Sequence, residues 1–298
     1  AQGYATTGMI SVVIGAIANI VLDPLFIFML NLGIRGAAIA TVLSQCLSAG
    51  FVLYFLSKKA EYKVRLLYKE EIRTCGKDAK NIVSLGTAGF VMQLTNSLVS
   101  ICCNNVLSAT GGDVYVSVMT IISSVRQMIE TPIWSISEGS SPVISYNYGA
   151  KRPKKVIEAW ITMSVLALIY SLIAWSVILF APKFLIGIFS SDKSLMIDTV
   201  PAMKLYFSAF IFMLFQYTGQ TMFKSLNKKK QAIFFSILRK VIIVVPMTYM
   251  FPYVFHMGSN GVFMAEPVSN VIGGSLCFIV MLLTVLPELK QMNSDLSS

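Results

Sequence analysis

The stretch NIVLDPLFIF at residues 19–28 places a carboxylate inside an apolar run. Asn19 lies four residues before Asp23, so the two side chains stack one turn apart on one face of a helix. Pro24 has no N–H, which leaves the carbonyl of Ile20 without its helical partner. An amide, a carboxylate and a free carbonyl are hard oxygen donors of the kind that alkali cations prefer. The stretch therefore predicts a cation site, with Na⁺ bound at Asp23.

Thr41, near the start of the next apolar run, could add a hydroxyl to this site. Two points stay open at the level of the residues. Asp23 lies about seven residues, or ~10 Å, from the end of its run, so it could instead cap a kink at the outer membrane interface. A buried carboxylate can also take up a proton, so the coupling ion is either Na⁺ or H⁺.

Four further ionisable side chains interrupt apolar runs, and each needs a reason because burial in hydrocarbon costs at least ~2.5 kcal/mol. Arg126 and Glu130 are four residues apart and are expected to neutralise each other, with substrate binding as the alternative. Glu138 lies near the cytoplasmic end of its run, where a capping or gating role is expected rather than cation binding. Glu266 precedes Pro267, and it either contacts a cavity or orders the C-terminal helices.

Polar amides also fall in an apolar run. Gln93 and Asn96 could face a substrate cavity, or they could hydrogen-bond a neighbouring helix. The five cysteines show no metal or redox spacing, and His256 is the single histidine. We therefore expect no catalytic residues, no enzyme activity and no cofactor apart from the coupling ion.

These side chains are carried by an apolar chain of 298 residues, of which 55% are hydrophobic and 13% charged, with a mean hydropathy of +0.71. Such values are typical of a membrane protein. The apolar runs are long enough for spanning helices, and the alternation of a transmembrane barrel is missing. The sequence predicts an all-α membrane protein with eight spans, at residues 8–30, 36–57, 82–108, 114–140, 156–181, 199–224, 230–254 and 261–287.

Lysine and arginine are concentrated after every second span. Of the 24 basic residues, 19 lie on one side: eight in residues 58–80, four in 151–155, six in 224–240 and one at Lys290. Because basic loops stay in the cytoplasm, both ends of this chain are predicted to be cytoplasmic. The expected location is the plasma membrane, in a bacterial cell. Topology thus explains the net charge of +10, and no nucleic-acid partner is expected.

Two segments of the chain resemble each other at a constant offset. NLGIRGAAIATVLSQ begins at residue 31 and HMGSNGVFMAEPVSN at residue 256, so that two Gly-x-x-Gly pairs coincide. Duplicated halves are common in secondary transporters. The repeat predicts two six-helix lobes: the last two helices of the first lobe at 1–57, a basic linker at 58–81, the second lobe at 82–287 and a tail at 288–298. About four helices are then expected ahead of Ala1.

Four motifs carry a resemblance to the multidrug and toxic compound extrusion (MATE) family, and to its DinF-like branch with the MepA-type efflux proteins. They are NIVLDPLFIF at 19–28, LGIRGAAIATVLSQ at 32–45, ISEGSSPVISYNYGAKR at 136–152 and AEPVSN at 265–270. The resemblance implies a twelve-helix transporter that exports organic cations in exchange for Na⁺ or H⁺. It also implies that Asn19, Asp23 and Thr41 match three ligands of the coupling-ion site. The acidic residues of the NorM-type site are missing from spans 82–108 and 199–224.

Competing functions follow from the same residues. A flippase for lipid-linked oligosaccharides shares the doubled architecture, but it would need more arginine and lysine in its cavity than Arg126. A membrane-embedded enzyme is disfavoured because His256 is the single histidine and the spans contain no pair of aspartate motifs and no Ser/His constellation. A purely structural membrane protein would not explain Asn19, Asp23 and Thr41 together. The expected partners are small organic drugs and the lipid bilayer, and the protein is expected to act as a monomer.

Overall fold

The computed structural model describes residues 4–61, 63 and 76–295, which are almost wholly helical and include no strand. The all-α membrane fold predicted from hydropathy is confirmed. Most of the predicted basic linker, at residues 62 and 64–75 with Cys75, and the end of the tail at 296–298 lie outside the described residues. The chain divides into two compact units, Ala1–Asn81 and Ile82–Ser298.

Eleven α-helices and four wide π-helical turns make up the described part of the chain. In the first unit, α1 is Ala5–Pro24, the turn π1 is Leu25–Met29 and α2 is Gly33–Lys58. The next helices are α3 (Gly76–Gly149), α4 (Pro153–Phe180), α5 (Pro182–Phe189), α6 (Lys193–Tyr206) and α7 (Phe212–Ser225). The last are α8 (Lys229–Ile237), π2 (Leu238–Val244), α9 (Val245–Tyr249), π3 (Met250–Val254), α10 (Ser259–Ser269), π4 (Asn270–Gly274) and α11 (Ser275–Asp295).

Six helical stretches in the described residues are long and apolar enough to cross a membrane. They are Thr6–Met29, Gly33–Lys58, Gln93–Gly149, Pro153–Phe180, Lys229–Val254 and Ser259–Ser294. Large apolar side chains such as Phe180 and Leu283 remain exposed on them, at 87% and 70%. Exposed apolar surface of this extent suits contact with lipid.

The predicted spans 82–108 and 114–140 run together in α3, which is too long for a single crossing. Gly112 divides α3, because its φ of 71° and ψ of −170° lie outside the helical region. This backbone conformation favours glycine, since a Cβ would be strained at positive φ. A single glycine therefore separates the two predicted spans, where the sequence indicated a loop.

The predicted span 199–224 is interrupted at residues 207–211, which was not expected. The indole of Trp175 on α4 donates a hydrogen bond to the carbonyl of Phe207 at 2.9 Å. The amide of Phe210 also donates to this carbonyl, at 3.1 Å, in a tight i to i−3 turn. The α-helical ladder is lost here because a side chain from another helix and a 3₁₀-type bond share the carbonyl.

The internal repeat is visible in the backbone. The turns π1 and π3 begin at Leu25 and Met250, with the same offset that relates the repeated sequences. The amide of Leu32 donates to the carbonyl of Phe26 at 3.1 Å, and residue 257 repeats this bond to residue 251 at 3.1 Å. Left-handed residues occur at equivalent positions, at Asn31, Gly33, His256 and Gly258. The two segments therefore have the same backbone conformation between the wide turn and the next helix.

Glycines allow this helix entry to be close-packed. A Cβ on Gly36 would lie 2.6 Å from the carbonyl oxygen of Phe26, and a Cβ on Gly261 would lie 2.8 Å from the carbonyl carbon of Phe251. Only a hydrogen atom fits between these backbones. The repeated Gly-x-x-Gly of the sequence thus has a packing reason in both places.

Each unit has its own packing. In the first unit, the hydroxyl of Ser48 on α2 donates to the carbonyl of Ser11 on α1 at 2.8 Å. The second unit holds two hydrophobic cores. Their fully buried members include Leu107, Ile122, Phe207 and Phe263 in one, and Ile144, Met163, Phe223 and Cys277 in the other.

Candidate functional site

A cluster of five charged side chains lies within the second unit. Arg126 and Glu130 project from α3 one turn apart, and Glu266 comes from α10. Arg239 and Lys240 lie in π2, in the middle of the apolar stretch Lys229–Val254. Three segments distant in sequence therefore meet at one charged site.

Glu266 is the centre of the cluster and is only 5% exposed. Its Oε1 lies 3.2 Å from Arg126 Nη2, 3.3 Å from Arg239 Nη1 and 3.4 Å from Lys240 Nζ. Arg126 also pairs with Glu130 through its Nε, as the spacing of the two residues predicted. One carboxylate oxygen is thus the shared partner of three cationic side chains.

Neutral partners complete the cluster. The hydroxyl of Tyr206 accepts from Arg126 Nη1 at 2.7 Å, and the hydroxyl of Tyr217 donates to Glu130 Oε2 at 3.2 Å. Asn270 Oδ1 accepts from Arg239 Nη1 at 2.5 Å. The sequence offered no signal for these tyrosines or for Asn270, because their partners are 31 to 87 residues away along the chain.

A cavity of about 560 Å³ opens beside the cluster. Its charged lining is Arg126, Glu130, Lys240 and Glu266. The remaining lining is amide, aromatic, hydroxyl and apolar: Gln93, Asn96, Val99, Ser100, Cys103, Met119, Ser123, Gln127, Thr131, Trp134, Tyr206, Tyr217, Val244, Val262 and Ala265. Apolar walls with a few convergent polar groups are the usual composition of a small-molecule site.

The structure corrects the sequence-based placement of Arg239 and Lys240, which were counted among the cytoplasmic basic residues. Each is only 7% exposed, and each is paired with Glu266. The sequence contained a signal for this: Arg239 lies ten residues, or ~15 Å, into the predicted span 230–254 when counted from Lys229. A basic residue at that depth needs a buried counter-ion and cannot serve as a topology marker.

The other predicted residues of this unit fall around the cavity. Gln93 and Asn96 line it and are exposed to it rather than buried between helices. Glu138 pairs with Lys224 Nζ at 2.9 Å, with both side chains more than one-third exposed. That pair lines an adjoining cavity of about 200 Å³.

In the first unit, the predicted contact between Asn19 and Asp23 is formed within α1. Asn19 Nδ2 donates to Asp23 Oδ1 at 3.3 Å, and both side chains are half-buried. The helix becomes π1 directly after Pro24, so the chain widens where the carbonyl of Ile20 lacks a helical donor. The amide of Asn19 would have to turn its oxygen outward to bind a cation together with Asp23.

Thr41 is exposed, and its hydroxyl donates to the carbonyl of Ala37 at 2.9 Å within α2. Among the described residues, no hydrogen bond joins Thr41 to Asn19 or Asp23. No group of three or more His, Cys, Asp or Glu that could hold a metal ion occurs in the described residues either.

Three curated relatives are staphylococcal multidrug export proteins called MepA. The protein of Staphylococcus haemolyticus is 25% identical over 198 residues, 66% of this chain and 43% of that protein. Those of Staphylococcus saprophyticus and Staphylococcus aureus (strain NCTC 8325) are each 26% identical, covering 95% and 96% of this chain and 60% and 61% of theirs. The chain thus spans about two-fifths to three-fifths of the length of these relatives.

Two solved structures share the fold. A MATE protein crystallised in the bent conformation superposes with a TM-score of 0.82 at 23% identity, covering 99% of this chain and 64% of that one. A transporter of the MOP superfamily from Pyrococcus furiosus superposes with a TM-score of 0.83 at 24% identity, covering 96% and 63%. These likenesses establish the arrangement of helices.

The MatE family model matches residues 89–250, more than half of the chain. The matched stretch includes Arg126, Glu130, Arg239 and Lys240, and Glu266 lies shortly after it. With an all-α fold, six apolar helical stretches and a charged cavity between helices, the chain belongs to the MatE family of membrane transporters.

Proposed function

We propose that the intact protein exports small organic molecules, organic cations among them, across the plasma membrane. The observation that carries this proposal is the cavity of about 560 Å³ in a MatE-family chain, where buried charges stand beside Trp134 and Tyr206. The MepA relatives are multidrug export proteins by name, which supports the same function. Mixed aromatic, amide and charged walls suit ligands of varied shape.

Export against a gradient needs a source of free energy, for which we propose a coupling ion, and two conformations. We assign the ion, Na⁺ or H⁺, to Asp23 and Asn19, with the carbonyl of Ile20 and the hydroxyl of Thr41 as further ligands after rearrangement. The turn π1 lies next to this pair and supplies the deformable backbone that alternating access requires. Ion binding would favour one of two conformations by its different affinity for each.

The test is drug efflux from vesicles that contain the intact protein, under an imposed Na⁺ gradient and separately under a proton gradient. Asp23→Asn is expected to reduce the rate of ion-driven efflux by about 100-fold or more, because the neutral amide lacks the charge that attracts the ion. Asp113→Asn is the matched control: Asp113 is exposed on α3, and its replacement should leave efflux unchanged. Unchanged efflux in Asp23→Asn would refute the assignment of the ion site.

A second candidate is a flippase for lipid-linked oligosaccharides. The sequence argued against it because only Arg126 was available to bind phosphate, whereas the structure adds Arg239 and Lys240 to the same cluster. Transfer of a lipid-linked sugar phosphate between leaflets of the same vesicles distinguishes the two functions. Drug efflux without lipid transfer supports the exporter.

A further inference from the structure

The charged cluster of the second unit contains unequal numbers of basic and acidic side chains. Three cationic side chains, Arg126, Arg239 and Lys240, face two carboxylates, Glu130 and Glu266. The nearby pair of Glu138 and Lys224 is neutral in itself and leaves this balance unchanged. The cluster therefore has one more basic side chain than it has carboxylates.

Of the three basic side chains, Lys240 is the one without an acceptor of its own in the described part of the chain. Glu130 is engaged by Arg126 and by the hydroxyl of Tyr217. Glu266 is then the common counter-ion of three cations through a single oxygen, Oε1. Arg126 and Arg239 each have a further, neutral acceptor, which is the hydroxyl of Tyr206 for the first and the side chain of Asn270 for the second.

Lys240 has fewer partners. Among the described residues its one hydrogen-bond partner is Glu266, at 3.4 Å, while an ammonium group carries three N–H donors. The residue is 7% exposed, and it lines both the cavity of about 560 Å³ and the adjoining one of about 200 Å³. A buried ammonium with unused donors at a cavity wall is arranged to receive an anionic acceptor.

The walls around Lys240 describe what else the occupant must have. Trp134 and Tyr206 provide aromatic surface, and Val244 and Val262 provide apolar surface in the same cavity. A free inorganic anion would make no use of these walls. An aromatic or apolar body that carries an anionic group matches both features.

We propose that this cavity binds the anionic group, a carboxylate or a phosphate, of an exported organic molecule, with Lys240 as its direct contact. The inference rests on the proposed export function and narrows its substrate class: molecules with an anionic group are accepted beside organic cations. Glu130 and Glu266 remain to hold Arg126 and Arg239 in place.

The test uses the intact purified protein in detergent and four fluorescent probes with one ring system: pyrenebutyrate, its methyl ester, a pyrenylalkyl phosphate and a pyrenylalkyl trimethylammonium. Fluorescence anisotropy gives the affinity of each probe, and protein-free micelles give the background. The carboxylate or the phosphate is expected to bind about tenfold or more tightly than the ester, since a desolvated charge pair strengthens binding. Equal affinity for carboxylate, phosphate and ester in the unsubstituted protein would overturn the proposal without any variant.

Variants locate the contact. Lys240→Gln should reduce the affinity for the anionic probe about tenfold and leave the trimethylammonium probe unweakened, whereas Lys240→Arg should retain at least a third of the affinity. Lys155→Gln is the control, because Lys155 is an exposed lysine paired with Glu158 outside this cavity. Anion binding that persists in Lys240→Gln would place the site elsewhere and refute the assignment.

Two further readouts separate this inference from the export function and identify the anion. Preference for the phosphate probe favours a phosphate-bearing cargo, preference for pyrenebutyrate favours a carboxylate, and displacement of both by inorganic phosphate alone would show a site for the free anion and refute the proposal. Efflux of the trimethylammonium probe from vesicles tests export by itself. If the cationic probe is exported but no anionic probe is preferred, only this inference is refuted. If no probe is exported, the export proposal is refuted.

Discussion

Glu266 has a structural task that follows from its surroundings. It is 5% exposed and faces Arg126, Arg239 and Lys240 through one oxygen. Charges buried in apolar surroundings are tolerated only when they are paired, and the loss of one partner leaves the others uncompensated. The sequence alone left its function open, because Pro267 beside it indicated only a loosened helix.

Glu266→Gln should destabilise the protein by about 3–5 kcal/mol, since the buried Arg239 and Lys240 would then lose their shared carboxylate partner. Glu138→Gln removes a carboxylate from a partly exposed ion pair, so it should cost at most ~1 kcal/mol. The free energy of unfolding, measured by denaturant titration in detergent micelles, checks both values. Equal losses in the two variants would contradict the central position of Glu266.

Among the helical elements, the wide π-helical turns are the feature that the two repeated segments share. Turns π1 and π3 both precede a left-handed residue and a helix entry that is closed by a glycine. In the first unit this turn follows the Asn19–Asp23 pair. In the second unit, π2 carries Arg239 and Lys240 into the cluster. Candidate functional side chains thus lie next to the places where the helical ladder is irregular.

Gly261→Ala tests the close approach at the second of these entries. The new Cβ would meet the backbone of Phe251 and Pro252 at 2.8 Å, and backbone cannot yield as a flexible side chain does. We expect a loss of about 1–3 kcal/mol in the free energy of unfolding. Gly139→Ala is the control, because nothing lies within 4 Å of its added Cβ, and it should be neutral or stabilising by about 0.5–1 kcal/mol. Similar stabilities of the two variants would contradict this packing.

For the molecule as a whole, the distribution of basic residues predicts the orientation of the helices in the membrane. Lys155 lies in the first turn of α4, and Lys193 begins α6 after the short helix α5. One membrane crossing by α4 therefore separates them. The basic cluster at 151–155 is predicted to be cytoplasmic and Lys193 to lie outside.

Single cysteines at Lys155 and Lys193 check this orientation, in a protein whose native cysteines have been replaced. Both lysines are exposed, so the thiols should react freely with a maleimide. A membrane-impermeant maleimide added to intact cells should label Lys193→Cys and spare Lys155→Cys, with equal labelling after lysis. The reverse pattern in intact cells would invert the topology.

Features that depend on neighbours along the chain could be predicted from the residues alone. Hydropathy located most of the apolar helices, and the similarity of the segments that begin at residues 31 and 256 indicated the internal repeat. The i,i+4 spacing predicted the contacts of Asn19 with Asp23 and of Arg126 with Glu130. Each of these needs only helical geometry, a repeated pattern and the thickness of a membrane.

Which distant charges meet could not be predicted before the packing of the helices was known. Glu266, Lys240 and Arg126 come from α10, π2 and α3, and no periodicity in the chain announces that the three converge. The interruption at residues 207–211 likewise depends on Trp175 from another helix. The physical reason is the same in both cases: burial and pairing of polar groups are set by the packing of helices, whereas hydropathy records only that a segment is apolar.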